Sequence, residues 1–132
     1  MTPQLNPDTP TGLGYYPLPA NGERFPVNDS ELKPQLEPRP ENDIEFFQGM
    51  LEWIAQIESD GYQLLAKLGA PSPSTIRTTG GGAKNSAWEK IRTSILNTKL
   101  SAKIITTNQT EAAYGAALLA KPNNNLNLEL DR

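Results

Sequence analysis

Proline placement constrains this sequence more than any other feature. Nine of its twelve prolines lie within the first forty residues. Proline lacks an amide hydrogen and restricts both its own φ angle and the residue before it, so a segment this rich in proline cannot form a helix interior or a central strand. We therefore predict an extended arm over residues 1–41, and any helices or sheet must come from the rest of the chain.

The arm nevertheless carries large apolar side chains, which are unusual in a solvated tail. They are Tyr15, Tyr16, Leu18 and Phe25. These residues predict that the arm packs along a surface, either of this chain or of a partner.

A long helix is predicted directly after the arm. Asn42 or Asp43 can cap its first turn, with Glu45 as the capping-box partner of Asn42. Gly69 can end it, and Gly61 indicates a bend or a close crossing within it. Between these ends apolar residues recur at helical spacing, at Phe47, Met50, Leu51, Ile54, Ile57, Leu64, Leu65 and Leu68, with Trp53 beside them in a packing role.

The segment after this helix alternates strands with helices. Two short β-branched segments, residues 75–79 and 102–106, are predicted strands. Asn85 or Ser86 begins a second helix between them, and a third helix rich in small residues follows over residues 111–120. This order is typical of parallel strands joined by crossover helices and predicts an α/β fold.

These patterns divide the chain into three parts. The proline-rich arm occupies residues 1–41, the α/β unit residues 42–121, and a flexible tail residues 122–132. Alternating leucines in that tail leave a short edge strand open as a second interpretation.

Composition excludes several classes of function. The chain has no cysteine and no histidine, which excludes disulfides, thiolate metal sites and histidine-based catalytic triads. Its net charge of −3 and the lack of a basic cluster argue against nucleic acid as a partner. The longest nearly apolar run, residues 112–120, is far shorter than the ~20 residues that span a bilayer. We expect a soluble, cytoplasmic protein without a membrane partner.

Three consecutive glycines, at residues 80–82, join the first predicted strand to the second predicted helix. Glycines in this position let a ligand approach the backbone closely, and amides at a helix N-terminus attract phosphate. A flexible turn explains the local pattern equally well. The run is not a Walker A loop, because Lys84 is followed by Asn85 instead of Ser or Thr, and Asn85 also stands where a dinucleotide loop needs its third glycine.

Two runs together resemble the C-terminal domain of the FGGY carbohydrate kinases. They are residues 79–88, TGGGAKNSAW, and residues 110–120, TEAAYGAALLA. The segments YYPLP at 15–19 and GERFP at 22–26 further resemble the branch of xylulose-kinase-like or D-ribulose kinases. The resemblance implies the C-terminal portion of an actin-like ATPase domain, of the ribonuclease H-like class, in which two domains close over ATP and a sugar.

In such a kinase the glycine run is the adenosine motif. The resemblance implies that the backbone of Gly81 and Gly82 lines the adenosine and phosphate channel and that Asn85 hydrogen-bonds the adenine. Trp88 fits the apolar side of its own helix and a wall of the adenine pocket equally well. The residues implied to bind nucleotide are Gly80, Gly81, Gly82, Ala83, Asn85 and Trp88.

The family's phosphate loops and catalytic aspartate have no counterpart in this sequence. We therefore expect no catalytic residue and no metal ligand here, with Mg²⁺ held mainly by residues outside the chain and the sugar, a pentulose such as xylulose or ribulose, contacted mainly by the missing N-terminal part. ATP or ADP is the expected ligand, and the chain alone is expected to be inactive. It would need the missing part, carried by a separate chain, or self-association for full stability. The alternatives are a stand-alone nucleotide-binding or regulatory module and a non-functional remnant of a split kinase gene.

Overall fold

The computed structural model describes residues 4–106 and 112–120, and every structural statement below concerns these residues. Helix α1 spans Asp43–Lys67, strand β1 Thr75–Thr78, helix α2 Ser86–Asn97, strand β2 Lys103–Thr106 and helix α3 Ala112–Ala120. The predicted order of elements is confirmed. Strand β1 ends one residue earlier, and β2 begins one residue later, than predicted. Glu111, which was expected to begin the third helix, and the tail at 122–132 lie outside the described residues.

The two strands form a parallel sheet, as the alternating pattern predicts. Thr75 lies opposite Lys103 and Thr78 opposite Thr106, and helix α2 connects the two strands. The carboxyl ends of both strands therefore lie at the same edge of the sheet, which is where open α/β sheets bind their ligands.

Helix α1 begins and ends where the sequence predicts. The Asn42 side chain caps it by accepting a hydrogen bond from the Ile44 amide at 2.9 Å. At the other end Gly69 takes a φ of +96°, and its amide donates to the Ala66 carbonyl at 3.0 Å. A left-handed glycine of this kind satisfies carbonyls that the last helical turn leaves open.

The buried face of α1 differs from its apolar stripe. The buried positions are small or polar, namely Gln48, Gly49, Ala55, Ser59 and Gly61. Ile54, Leu65 and Leu68 are exposed although they belong to the stripe. The helix is covered on more than one side, by the arm and by α2, and close approach on those sides favours small residues. Apolar spacing thus located the helix but not its buried face.

The arm lies along α1. Of the two surfaces that the sequence allowed, one on this chain and one on a partner, the arm therefore packs on this chain. Gln48 binds it through its side-chain amide, which accepts from the Asn6 amide at 2.8 Å and donates to the carbonyls of Asn6 and Thr9 at 2.9 Å. The Glu52 carboxylate accepts a hydrogen bond from the Thr11 hydroxyl at 2.6 Å. The Trp53 indole donates to the Leu13 carbonyl. These contacts satisfy backbone groups that a proline-rich segment cannot pair within itself.

Tyr15 is the most buried residue of the arm, with 1% of its surface exposed. Its hydroxyl donates to the Pro38 carbonyl at 2.7 Å, and its ring packs edge-on against Phe46. A methyl group on Gly49 would lie 2.9 Å from the Tyr15 ring, so α1 needs glycine at that position. Phe25 lies against Gly61 in the same way, at 3.0 Å from the place of a Cβ, which is the close crossing that Gly61 indicated.

A small core lies between the sheet and the two longer helices. Its buried members are Ile76, Leu96 and Ala102, with Tyr62, Leu100 and Ile104 packed against them. By contrast, the described side chains of α3, residues 113–120, are all exposed. No helix in the described part of the chain is both long enough and apolar enough to span a membrane.

Candidate functional site

The glycine run leaves β1 at the carboxyl edge of the sheet and enters α2 through a 3₁₀ turn, Gly81–Lys84. Gly80 has φ +83° and ψ −173°, a backbone conformation that is essentially restricted to glycine. This residue redirects the chain from the strand into the turn. Any side chain at residue 80 would strain the backbone, so local geometry alone explains why a glycine stands there.

One side of this loop is open and lined by backbone. Apart from its chain neighbours, no heavy atom of the described residues would lie within 4 Å of a Cβ added to Gly80 or Gly81. Gly81 and Gly82 are exposed, and among the described residues their amides donate to no backbone carbonyl. The loop therefore offers close approach and two adjacent N–H donors to a ligand, a combination suited to an anionic or polar group.

The opposite side of the loop is anchored in the protein. Ala83 is only 8% exposed, and its amide donates to the Gly80 carbonyl at 3.1 Å. The Asn85 amide donates to the Gly82 carbonyl, also at 3.1 Å. Of the predicted site residues, Ala83 thus holds the loop in place, and its side chain is buried away from the open face.

Asn85 is the N-cap of α2. Its side-chain oxygen accepts a hydrogen bond from the Trp88 amide at 3.0 Å, as N-cap residues typically do. This bond fixes the side-chain torsion angles and leaves the amide NH₂ group as the part of Asn85 that can donate to a ligand.

Trp88 lies beside the glycine loop and is half-buried. Its indole Nε1 is 3.6 Å, and its Cδ1 3.7 Å, from the place of a Cβ on Gly82. The buried core cluster contains other residues of α2 and β1, with Trp88 outside it. The structure therefore brings the six predicted residues together in one loop with the indole at its flank.

Arg92 is a site residue that the sequence did not single out. It is 8% exposed, and its guanidinium donates to both carboxylate oxygens of Glu58 at 2.6 Å. A third hydrogen bond, also 2.6 Å, reaches the hydroxyl of Thr78, the last residue of β1. The bonds to Glu58 raise the pKa of Arg92 above its ordinary value, so the group is a permanent cation.

Glu89 makes the equivalent contact to the second strand. Its carboxylate accepts a hydrogen bond from the hydroxyl of Thr106, the last residue of β2, at 2.5 Å. Asn85, Trp88, Glu89 and Arg92 are spaced at three, four and seven residues, so they share one face of α2. That spacing is present in the sequence, but apolar periodicity does not reveal it because three of the four residues are polar.

Metal ligands are lacking in the described residues. No group of three or more acidic, histidine or cysteine side chains lies close enough together to hold an ion in residues 4–106 and 112–120. Within these described residues, no such cluster could hold a Mg²⁺ ion.

Comparison with protein families identifies the family to which this chain belongs. The model of the FGGY family of carbohydrate kinases, C-terminal domain, matches residues 3–121. The chain belongs to the FGGY family. Its resemblance to that family is thereby confirmed, and the FGGY C-terminal domain has the actin-like ATPase fold.

Individual FGGY kinases match over most of this chain. It is 31% identical to a xylulose kinase of Staphylococcus xylosus and 33% identical to a xylulose kinase of Bacillus subtilis strain 168, in both cases over 111 residues. The alignments cover 83% of this chain but 22% and 21% of the two kinases. The chain thus spans about a fifth of the length of these FGGY relatives.

Proposed function

We propose that this chain is the C-terminal, ATP-binding part of a cytoplasmic carbohydrate kinase that transfers the γ-phosphate of ATP to a hydroxyl of a sugar. The sugar in this proposal is a pentulose such as xylulose or ribulose, because both similar kinases bear the name xylulose kinase. Family membership supports the reaction class, and the loop supports the role of this part in it.

The open backbone face of the glycine loop is the observation that carries the proposal. It combines glycines with free space above them, unpaired amides among the described residues and a position at the carboxyl edge of a parallel sheet. A loop that served only as a turn would need glycine at Gly80, where φ is positive, but not at Gly81. The free space at Gly81 therefore favours a ligand.

The backbone and the side chains of the loop have distinct roles in this proposal. The backbone of Gly81 and Gly82 lies along the adenosine and its phosphates. The Asn85 NH₂ group donates to the adenine, and the Trp88 indole forms a wall of its pocket. These groups bind and orient the nucleotide, and the helix cap at Asn85 fixes their positions relative to one another.

The groups that act on the phosphate come from outside this chain. Phosphoryl transfer needs a metal ion and a residue that takes the proton of the sugar hydroxyl. The described residues contain no cluster of three or more acidic, histidine or cysteine side chains that could hold a metal ion. The chain binds the nucleotide, and the remaining part of the kinase supplies the reacting groups.

A chimeric kinase tests the proposal. The 111 matching residues of the Bacillus subtilis xylulose kinase are replaced by the matching segment of this chain, and ATP-dependent phosphorylation of xylulose is measured. We expect activity above that of the kinase truncated before this segment. A folded chimera that binds xylulose but neither binds ATP nor phosphorylates would contradict the proposal.

A further inference from the structure

One face of α2 contacts the glycine loop and both strand ends. The residues on this face are Asn85, Trp88, Glu89 and Arg92. Nucleotide binding as proposed above uses only the first two of them. Glu89 and Arg92 are polar, partly or fully buried and directed at the ends of the strands, which calls for a separate account.

Arg92 holds the beginning of the loop. Its Nη1 donates to Thr78, two residues before Gly80, at 2.6 Å. Asn85 holds the end of the loop through the cap bond to the Trp88 amide. Helix α2 therefore fixes both ends of the loop.

Arg92 is itself fixed by α1. Its Nε and Nη2 donate to the two carboxylate oxygens of Glu58, both at 2.6 Å. A guanidinium bound in this fork arrangement cannot rotate, so the direction of Nη1, which donates to Thr78, is fixed. The orientation of β1 at its carboxyl end thus depends on the packing of α1 against α2.

We propose that Arg92 is a positioning residue for the glycine loop. By joining Thr78 to Glu58, it sets the direction in which β1 ends and hence the place of Gly80–Ala83 beside α2. The inference rests on the proposed function for the identity of the ligand as a nucleotide, whereas the geometry of the loop is measured without any ligand.

Thr78→Val is the variant that isolates this effect. Replacement of Arg92 itself would leave the Glu58 carboxylate partly buried without its partner and would loosen the packing of α1 on α2. Valine at residue 78 keeps the shape and the strand preference of threonine and removes only the hydroxyl. Thr75→Val, at the exposed opposite end of the same strand, is the matched control, and Thr78→Ser restores the hydroxyl.

Amide hydrogen exchange of the full 132-residue chain measures directly how well the loop amides are protected. The amides of Ala83 and Asn85 donate within the loop to Gly80 and Gly82. We expect both amides to exchange about tenfold faster in Thr78→Val than in Thr75→Val, since a hydrogen bond to a charged donor is lost. Thr78→Ser should return the rates toward those of the unmodified chain.

ADP affinity separates positioning from general stability. At a temperature well below the thermal midpoints of both variants, where both chains are folded, we expect the Kd for ADP to be about fivefold higher in Thr78→Val than in Thr75→Val. Equal exchange of the Ala83 and Asn85 amides in the two variants would overturn this inference whatever the ADP result. An unmodified chain with protected loop amides that does not bind ADP would instead contradict the proposed function.

Discussion

At the residue scale, Asn85 has an observed role as a helix cap and a proposed role in nucleotide binding, and different atoms perform them. Its side-chain oxygen caps α2, and its NH₂ group remains to contact a ligand. The sequence predicted the cap and, through the family resemblance, the adenine contact. The sequence could not show that the NH₂ group stays available in the conformer whose oxygen caps α2, because this depends on the direction of the side chain in the folded loop.

Two substitutions of Asn85 separate these roles. Asn85→Asp keeps a capping oxygen but loses the NH₂ donor, so we expect unchanged stability and weaker ADP binding. Asn85→Ala loses the cap, and its free energy of unfolding should fall by about 1 kcal/mol. Urea unfolding and ADP titration of both variants give the comparison. Wild-type ADP affinity in a folded Asn85→Asp variant would contradict the adenine contact.

At the scale of elements, spacing predicted the helices and strands but not how they pack. The apolar stripe predicted the position and length of α1, and the proline content predicted an extended arm. The contacts between them rest on Gln48, Gly49 and Glu52. Gln48 and Glu52 bind different backbone groups of the arm, whereas Gly49 lies against the Tyr15 ring, so the three residues share no periodic signal. Long-range pairs of this kind, forty residues apart, leave no local mark in a sequence.

The pH dependence of stability tests the packing of the arm on α1. Burial, reinforced by the carboxylates of Glu37 and Glu45, raises the pKa of Tyr15 above the ordinary tyrosine value of about 10. The unfolded chain therefore loses this proton at a lower pH than the folded chain does. The contribution of Tyr15 to stability is complete below pH ~10 and is lost as the pH rises from there through the folded-state pKa.

Comparison with Tyr15→Phe isolates that contribution. We expect the free energy of unfolding of the unmodified chain to fall more steeply above pH ~10 than that of Tyr15→Phe. Urea unfolding at a series of pH values from neutral upward provides the two curves. Burial also raises the pKa of Tyr16, which is present in both proteins and so cancels in the comparison. Parallel curves would show that the Tyr15 hydroxyl is not buried as described.

At the scale of the whole molecule, the described residues leave much apolar surface uncovered. All described side chains of α3 are exposed, among them Leu119 at 89%, and so are Ile54 and Leu68 of the α1 segment. The chain spans about a fifth of the similar xylulose kinases. That it needs the rest of a kinase, or a second copy of itself, for full stability remains a prediction consistent with this surface.

In the function proposed here, the nucleotide site is likewise one side of a larger site. Glycine pattern and family resemblance predicted the loop, and the structure adds that its open face is free of other groups of the described chain. The pairing of Arg92 with Glu58 could not be predicted, because an ion pair between two helices, 34 residues apart, follows no spacing rule.

Calorimetric titration of ADP into the chain and its Gly81→Ala variant tests the central claim most directly. Gly81 is not among the glycines with a positive φ, and among the described residues no heavy atom besides its chain neighbours lies within 4 Å of its Cβ position. The methyl group should therefore leave the fold intact and meet only the bound nucleotide. We expect the unmodified chain to bind ADP, Gly81→Ala to bind about tenfold more weakly at an unchanged thermal midpoint, and the control Gly115→Ala to bind normally. Equal affinity of the chain and Gly81→Ala, or no binding by a folded chain, would contradict the account.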